Sequence, residues 1–185
     1  RDPWKEIVRI ADTRSCDSLL VGFSSLEGDG NVERIEHLLN EVDCDVVALR
    51  APKDWSFNSE TKIIVPVGGR GGHDVLRARL LGSLGRAGLR NVLFVRATSE
   101  RLRPATKAHL ERALRVFAEE ETYDVPQTKV IECDDIVEAL AGEAGPQDLI
   151  IVGLRHQRGK RLFSELALQV ARKTEAATLM ISRRY

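Results

Sequence analysis

Apolar residues in this chain arrive in short runs separated by stretches of helical period. Asp148-Leu-Ile-Ile-Val-Gly153 sets four consecutive aliphatics before a glycine. That is the pattern of a parallel strand buried on both faces, with the glycine where the backbone turns outside the strand's carboxyl end. A basic loop follows to Gly159, then a helical pattern and a second apolar run, Ala176–Ser182. A shorter version of this stretch stands near the start: Asp17-Ser-Leu-Leu-Val-Gly22, a loop, a helical pattern over Val32–Val42, and the run Val46–Leu49. The shared phrase and the shared succession predict an internal repeat in which only the second copy is complete.

The rest of the chain alternates. Asp2-Pro3 ahead of Trp4–Ala11 is a helix start, and Asn31 is placed to cap the helix that carries Val32, Ile35, Leu38, Leu39 and Val42. Ala51–Glu60 has no period and is predicted to be a linker, with two expectations for it: Trp55 and Phe57 anchor it to a neighbouring surface, or it simply wraps over the domain. From Thr61 the pattern gives strand Lys62–Val67, helix His73–Ala87, strand Asn91–Arg96, helix Pro104–Glu121, strand Thr128–Cys133, and a helix Ile136–Gly142 capped by Asp134-Asp135. Gly145-Pro146 ends that helix before the run at 148–153. Strands and helices alternating in this way imply parallel strands joined by right-handed crossovers, hence an α/β fold with a doubly wound, five-stranded parallel sheet plus a partial amino-terminal copy. The expected division is a half-domain at 1–52, a linker at 53–60 and a complete domain at 61–185.

Composition changes this picture little. At 185 residues, with 43% hydrophobic residues, the chain can build a core, and a formal net charge of zero removes any global attraction to nucleic acid or to a membrane surface. Cys16, Cys44 and Cys133 are scattered, so neither a disulfide framework nor a zinc site is indicated, and three small buried thiols in a reducing compartment are expected. No apolar run reaches the roughly 18 residues a bilayer span requires. The first residue is Arg, and an excised or processed piece of a longer protein is expected.

Taken together, Lys62–Val67, the Gly68–Gly72 loop, and Asp148–Gly153 followed by Gly159 and a last strand resemble the universal stress protein family over Thr61–Tyr185, with the first 50 or so residues similar to the carboxyl half of a second such domain. The resemblance implies an adenine nucleotide alpha hydrolase-like fold with strand order 3-2-1-4-5. It also implies a site at the switch point between the first and fourth strands of the complete domain. The family's nucleotide-binding members end the first strand in Val-Pro-Val-Asp and hold phosphates on a G-x-x-G-x9-G-[ST] loop. Here Gly68 takes the place of that Asp, His156 stands at the second loop glycine, and Ser164-Glu165 or Leu166-Ala167 stands at the third. Phosphate cradling needs glycines because the backbone must approach the anion without a Cβ in the way, so the ATP motif reads as degraded. In the early copy Glu27, Asp29, Glu33 and Glu36 surround the corresponding loop.

A Val-Pro-Val-Gly-Gly start, paired units and lost glycines together resemble the cytosolic domains of amino acid–polyamine–cation and cation–chloride cotransporter-type transporters. What this implies is a non-enzymatic regulatory or assembly domain on the cytosolic face of a membrane, attached to a transmembrane transporter region. The alternative is a free-standing nucleotide-binding stress protein with a variant phosphate loop.

The candidate ligand residues, for an anion or a nucleotide, are Gly68, Gly69, Arg70, Gly71, Gly153, Arg155, Arg158, Gly159 and Lys160, with His73, His156 and Arg161 in the same crevice. No carboxylate lies between Gly68 and His73 or between Gly153 and Ser164, so cations dominate both loops. No metal site and no cofactor are expected, although the crevice leaves ATP or another nucleotide open. For catalysis, Ser24-Ser25 has no identifiable base, G-x-S-x-G is absent, and His37, His73, His109 and His156 are far apart. The last strand and Val46–Leu49 are expected to present edges that pair with each other in an internal pseudo-dimer, or with a partner chain in a homodimer. No nucleic-acid partner is expected.

Overall fold

The computed structural model describes residues 3–14, 16–26, 31–68, 73–122, 124–157 and 159–184, without the side chains of 31 and 156. Fifteen elements follow in order: α1 (Pro3–Arg14), β1 (Ser18–Phe23), α2 (Asn31–Glu41), β2 (Asp45–Arg50), β3 (Ile63–Pro66), α3 (Asp74–Arg86), β4 (Val92–Thr98), α4 (Pro104–Glu121), β5 (Gln127–Glu132), α5 (Ile136–Gly142), β6 (Leu149–Gly153), β7 (Arg155–Gln157), β8 (Lys160–Leu162), α6 (Glu165–Lys173) and β9 (Ala177–Ser182). Local chemistry accounts for several of these boundaries. Pro104 opens α4 at a position where its missing N–H costs nothing. Asp135 caps α5 by accepting from the Glu138 N–H, and Ser164 caps α6 by accepting from the Ala167 N–H.

Seven strands form one sheet in the order β1-β2-β9-β6-β3-β4-β5. The span β9-β6-β3-β4-β5 is parallel throughout and has the predicted 3-2-1-4-5 order when read from the other end. The expected count of five becomes seven because β2 pairs antiparallel along β9, with Ala48 opposite Met180, and β1 then continues parallel to β2. The last strand is therefore an interior strand rather than an edge, and all six of its residues are buried.

The two faces of the sheet carry different helices. Ile35, Leu38 and Leu39 of α2, Leu140 of α5 and Val170 of α6 pack with Ile64, Ile150 and Met180 on one face, where Ala11 of α1 also lies. Leu76 and Leu81 of α3 and Leu114 and Ala118 of α4 pack with Ile63, Val65, Phe94 and Ile151 on the other. Segment 51–60 is tied down rather than free, because the Trp55 indole N–H donates to Asp148 O at 3.2 Å and its ring meets Phe57 edge-on. Of the three cysteines, all free, only Cys44 is buried; Cys16 and Cys133 are partly exposed.

Candidate functional site

The order of the sheet places its switch point between the carboxyl ends of β3 and β6, where open α/β sheets seat their ligands. Here side chains of the chain itself fill that crevice. His73, at the start of α3, is 3% exposed. Its Nε2 lies 2.7 Å from Leu154 O, and the Arg183 N–H donates to its Nδ1 at 3.4 Å. The ring thus ties the end of β6 to the segment that follows β9. The ring lies so close to the end of β6 that a Cβ at Gly153 would come within 2.6 Å of His73 Cδ2. Gly153 thus serves the approach of a side chain, where sequence reasoning assigned it to a backbone turn.

On the β3 side, Gly68 has φ +139°, which an L side chain rarely adopts, and the Arg96 guanidinium occupies the volume its Cβ would take. Arg96 reaches across from the carboxyl end of β4 and donates through Nη1 to Val67 O at 3.4 Å, while its buried Nε finds no hydrogen-bond partner among the described residues. A guanidinium therefore stands where the resemblance would put a carboxylate.

The basic stretch after β6, expected as an open loop, is a hairpin: β7 and β8 pair antiparallel, with Arg155 opposite Leu162 and Gln157 opposite Lys160. Arg155, Gly159 and Lys160 are exposed along it. The hairpin docks on α2 of the amino-terminal part. Asn40 makes a reciprocal pair with the Arg161 main chain, accepting its N–H at 2.8 Å and donating to its carbonyl at 3.0 Å. Glu36 Oε1 accepts the Phe163 N–H at 2.9 Å.

Arg161 does not line the crevice as expected. It is 8% exposed and donates through Nη1 to Cys44 O at 2.8 Å. Burial pulls its guanidinium below its ordinary pKa, and burial likewise pushes the Cys44 thiol up against the opposing charge of Arg161. The absence of carboxylates between 153 and 164, read from the loop alone, is offset in space by Glu36.

Of the other sequence-predicted residues, Gly69, Arg70, Gly71 and Arg158 lie outside the described residues, as do Asp2 and Gly28-Asp29-Gly30. His37 and His109 are exposed on α2 and α4. Asp135 is held below the usual carboxylate range by the Glu138 N–H and then by Lys173, a capping role. Among the described residues no group of three His, Cys, Asp or Glu side chains could hold a metal ion. No described helix is long and apolar enough to cross a membrane. Sequence reasoning missed Arg96, Arg183 and Asn40, and set Glu36 beside the early copy's loop rather than on the Phe163 N–H. Arg96 had a usable signal, since it is the first charged residue after the apolar run Val92–Val95 and so falls just past the level at which β3 ends, although β4 itself runs on to Thr98.

No protein-family model and no curated protein matches the chain. Solved structures do. The crystal structure of the cytoplasmic domain of a prokaryotic cation chloride cotransporter superposes with a TM-score of 0.65 at 10% identity, covering 98% of this chain and 70% of that one. A universal stress protein from Archaeoglobus fulgidus DSM 4304 gives 0.60 at 14% identity, covering 99% and 66%. A universal stress protein from Archaeoglobus fulgidus in complex with dAMP gives 0.50 at 13% identity, covering 68% of this chain and all of that one. The chain thus spans about two thirds of the length of the first two, and at these identities the likeness is one of fold. With its parallel order, its switch point and these neighbours, the chain has the universal stress protein fold, extended at one end of the sheet by β2 and β1.

Proposed function

We propose that this is a non-enzymatic regulatory or assembly domain on the cytosolic face of a membrane transporter of the amino acid or cation–chloride type, and that its crevice has lost ATP binding. The observation that carries this reading is the occupied switch point. His73 fills the space beside Gly153, and Asn40, Glu36 and the Ser164 hydroxyl already accept the N–H groups of Arg161, Phe163 and Ala167. A phosphate cradle works by offering free backbone donors, and these three are taken. The fold likeness to a cotransporter's cytoplasmic domain supports the attachment to a transporter. In this reading 1–52 is half of one unit and 61–185 a complete second, joined through β2 and β9 as an internal pseudo-dimer.

A second reading, nucleotide binding at the same crevice, draws on the neighbour solved with dAMP and on the positive charge of Arg96 over Gly68. In it the ligand would meet Gly68–Gly71, Arg155, Arg158, Gly159 and Lys160. Titration calorimetry with ATP, AMP and cyclic dinucleotides separates the two. The first reading expects no saturable heat up to about 1 mM and no rise in melting temperature, whereas a ligand at 100 times its Kd would stabilise the fold by about 2.7 kcal/mol. Saturable binding lost in Arg96→Ala would overturn it. The transporter assignment is checked on the natural reading frame, which must encode apolar spans of about 20 residues each.

A further inference from the structure

α4 is the longest described helix, 18 residues from Pro104 to Glu121. Leu114, Phe117 and Ala118 pack it onto the sheet. Its outer side carries a stripe at helical spacing, His109, Arg112, Val116 and Glu120, with Ala113 beside it. All five are exposed, Val116 by 56%, although valine is among the residues most often buried. Together with the half-buried Phe117 they line a shallow hollow along the helix.

The charges of α4 divide into two kinds. Lys107 pairs with Glu132 at 3.4 Å and Glu121 with Arg77 at 2.6 Å, both within the chain. Arg112 and Glu120 make no ion pair and no side-chain hydrogen bond among the described residues. They stand two turns apart, about 12 Å along the helix axis, so the helix cannot bring them together itself. Val116 lies midway between them. A stripe that reads positive, apolar, negative is complementary to its own reverse. An antiparallel second copy with a twofold axis at Val116 sets each Arg112 opposite the other's Glu120 and brings the two valines together, whereas a parallel copy sets like charge on like.

We propose that the outer side of α4 is a docking face for a second copy of this chain: two α4 helices pack antiparallel about a twofold axis at Val116, closed by two Arg112–Glu120 ion pairs. The last strand is not open to such a partner, because β2 already covers the free side of β9. β5, the edge strand next to α4, carries Gln127, Lys129 and Glu132, polar residues that discourage a strand partner. A single helix face covers less than the roughly 800 Å² per partner of a standard interface, so the contact is weak, with a Kd on the order of 100 µM. The inference goes beyond the functional reading and does not depend on whether the crevice is closed.

Sedimentation equilibrium of the 185-residue chain at low salt, up to about 1 mM, tests it. The chain should dimerise, and more weakly as salt is raised. Arg112→Glu and Glu120→Arg each set like charge on like at both pairs and should weaken the dimer by about tenfold or more. The two reversals in one chain restore both pairs, so the doubly reversed chain should recover the parent's Kd to within about threefold. An equimolar mixture of the two single variants should form a heterodimer of that same strength. Both positions are exposed and without partners in the chain, so the melting temperature of each dilute variant should stay close to the parent's, which separates lost docking from lost folding. No association up to about 1 mM, or a doubly reversed chain no better than the single ones, would overturn the proposal. So would a dimer indifferent to both reversals, which would place the contact on another face. Calorimetry with nucleotides reads the crevice and not α4, so this proposal and the functional reading fail separately.

Discussion

Gly153→Ala probes the closed crevice directly. The new Cβ would lie 2.6 Å from His73 Cδ2 and 3.3 Å from its Nε2, well inside van der Waals contact. The ring has little room to yield, since it is 3% exposed and bonded through Nε2 to Leu154 O at 2.7 Å. Moving it breaks that bond in a buried setting, at a cost of roughly 1–3 kcal/mol. Two facts bear on the opposite side. Gly153 is not among the described glycines with positive φ, so alanine fits its backbone, and replacing glycine restricts the unfolded chain, a gain of about 0.4–1 kcal/mol. The net expectation is a loss of about 1–2 kcal/mol.

The decisive measurement is a double-mutant cycle read by urea denaturation, with His73→Ala as the second background. There the clash is gone and only the chain-entropy gain remains, so Gly153→Ala should be neutral or stabilising by up to about 1 kcal/mol. Coupling of about 1.5 kcal/mol or more between the two positions would place the ring against Gly153 in solution. Equal effects of Gly153→Ala in both backgrounds would mean that the ring does not occupy the crevice, and the case for a closed site would lose its main support.

Further predictions concern how the parts are held together. Asn40→Ala leaves the Arg161 N–H and carbonyl without their side-chain partners and should cost about 1–3 kcal/mol in chemical denaturation; a loss under about 0.5 kcal/mol would mean the hairpin does not depend on α2. Glu121→Ala strips Arg77 of a bidentate, nearly buried partner, with Nε at 2.7 Å and Nη2 at 2.6 Å, and should cost about 3 kcal/mol, whereas an exposed pair would cost under about 1 kcal/mol in the same measurement. Asp135 and Glu132 both have folded pKa values below their unfolded ones, so each contributes stability above the unfolded pKa that is lost as pH falls through the folded one. A melting-temperature series through the carboxylate range should therefore fall on acidification, and Asp135→Asn should flatten that fall; an acid limb identical to the parent's would remove the capping account. Cys44, buried and with its thiol pushed up, should react with an aromatic disulfide reagent more slowly than Cys16 and Cys133, as mass spectrometry of the labelled chain would show.

Much of the architecture is written locally. Helices Pro104–Glu121 and Ile136–Gly142 run between the residues that the period and the caps define, because proline and aspartate act on neighbours within one turn. The runs Ile63–Pro66 and Leu149–Gly153 are strands because consecutive aliphatics are stable only when covered on both faces. What joins the two parts of the chain is less legible. β9 and β2 present compatible apolar edges, and the sequence could name both without deciding whether they meet in one chain or between two; the antiparallel register Val46–Arg50 to Ser182–Thr178 answers that only in space.

The hairpin is the harder case, and it bears most on function. Arg155–Leu162 has no alternation of apolar and polar residues, so by local pattern its charges read as a solvated loop beside an anion site. Its strands are held by partners from another part of the chain: Asn40 on the main chain of Arg161, Glu36 on the Phe163 N–H, and the Cys44 carbonyl on the Arg161 guanidinium 117 residues away in sequence. Counting charge along the loop put Arg161 in the crevice; counting donors and acceptors in space takes it out and sets the Glu36 carboxylate on the Phe163 N–H just past the hairpin. The same reasoning explains why Arg96, on a strand and outside both loops, ends up over Gly68. In a fold whose site lies at strand ends, the residue just past each apolar run carries more information about that site than the composition of the loops.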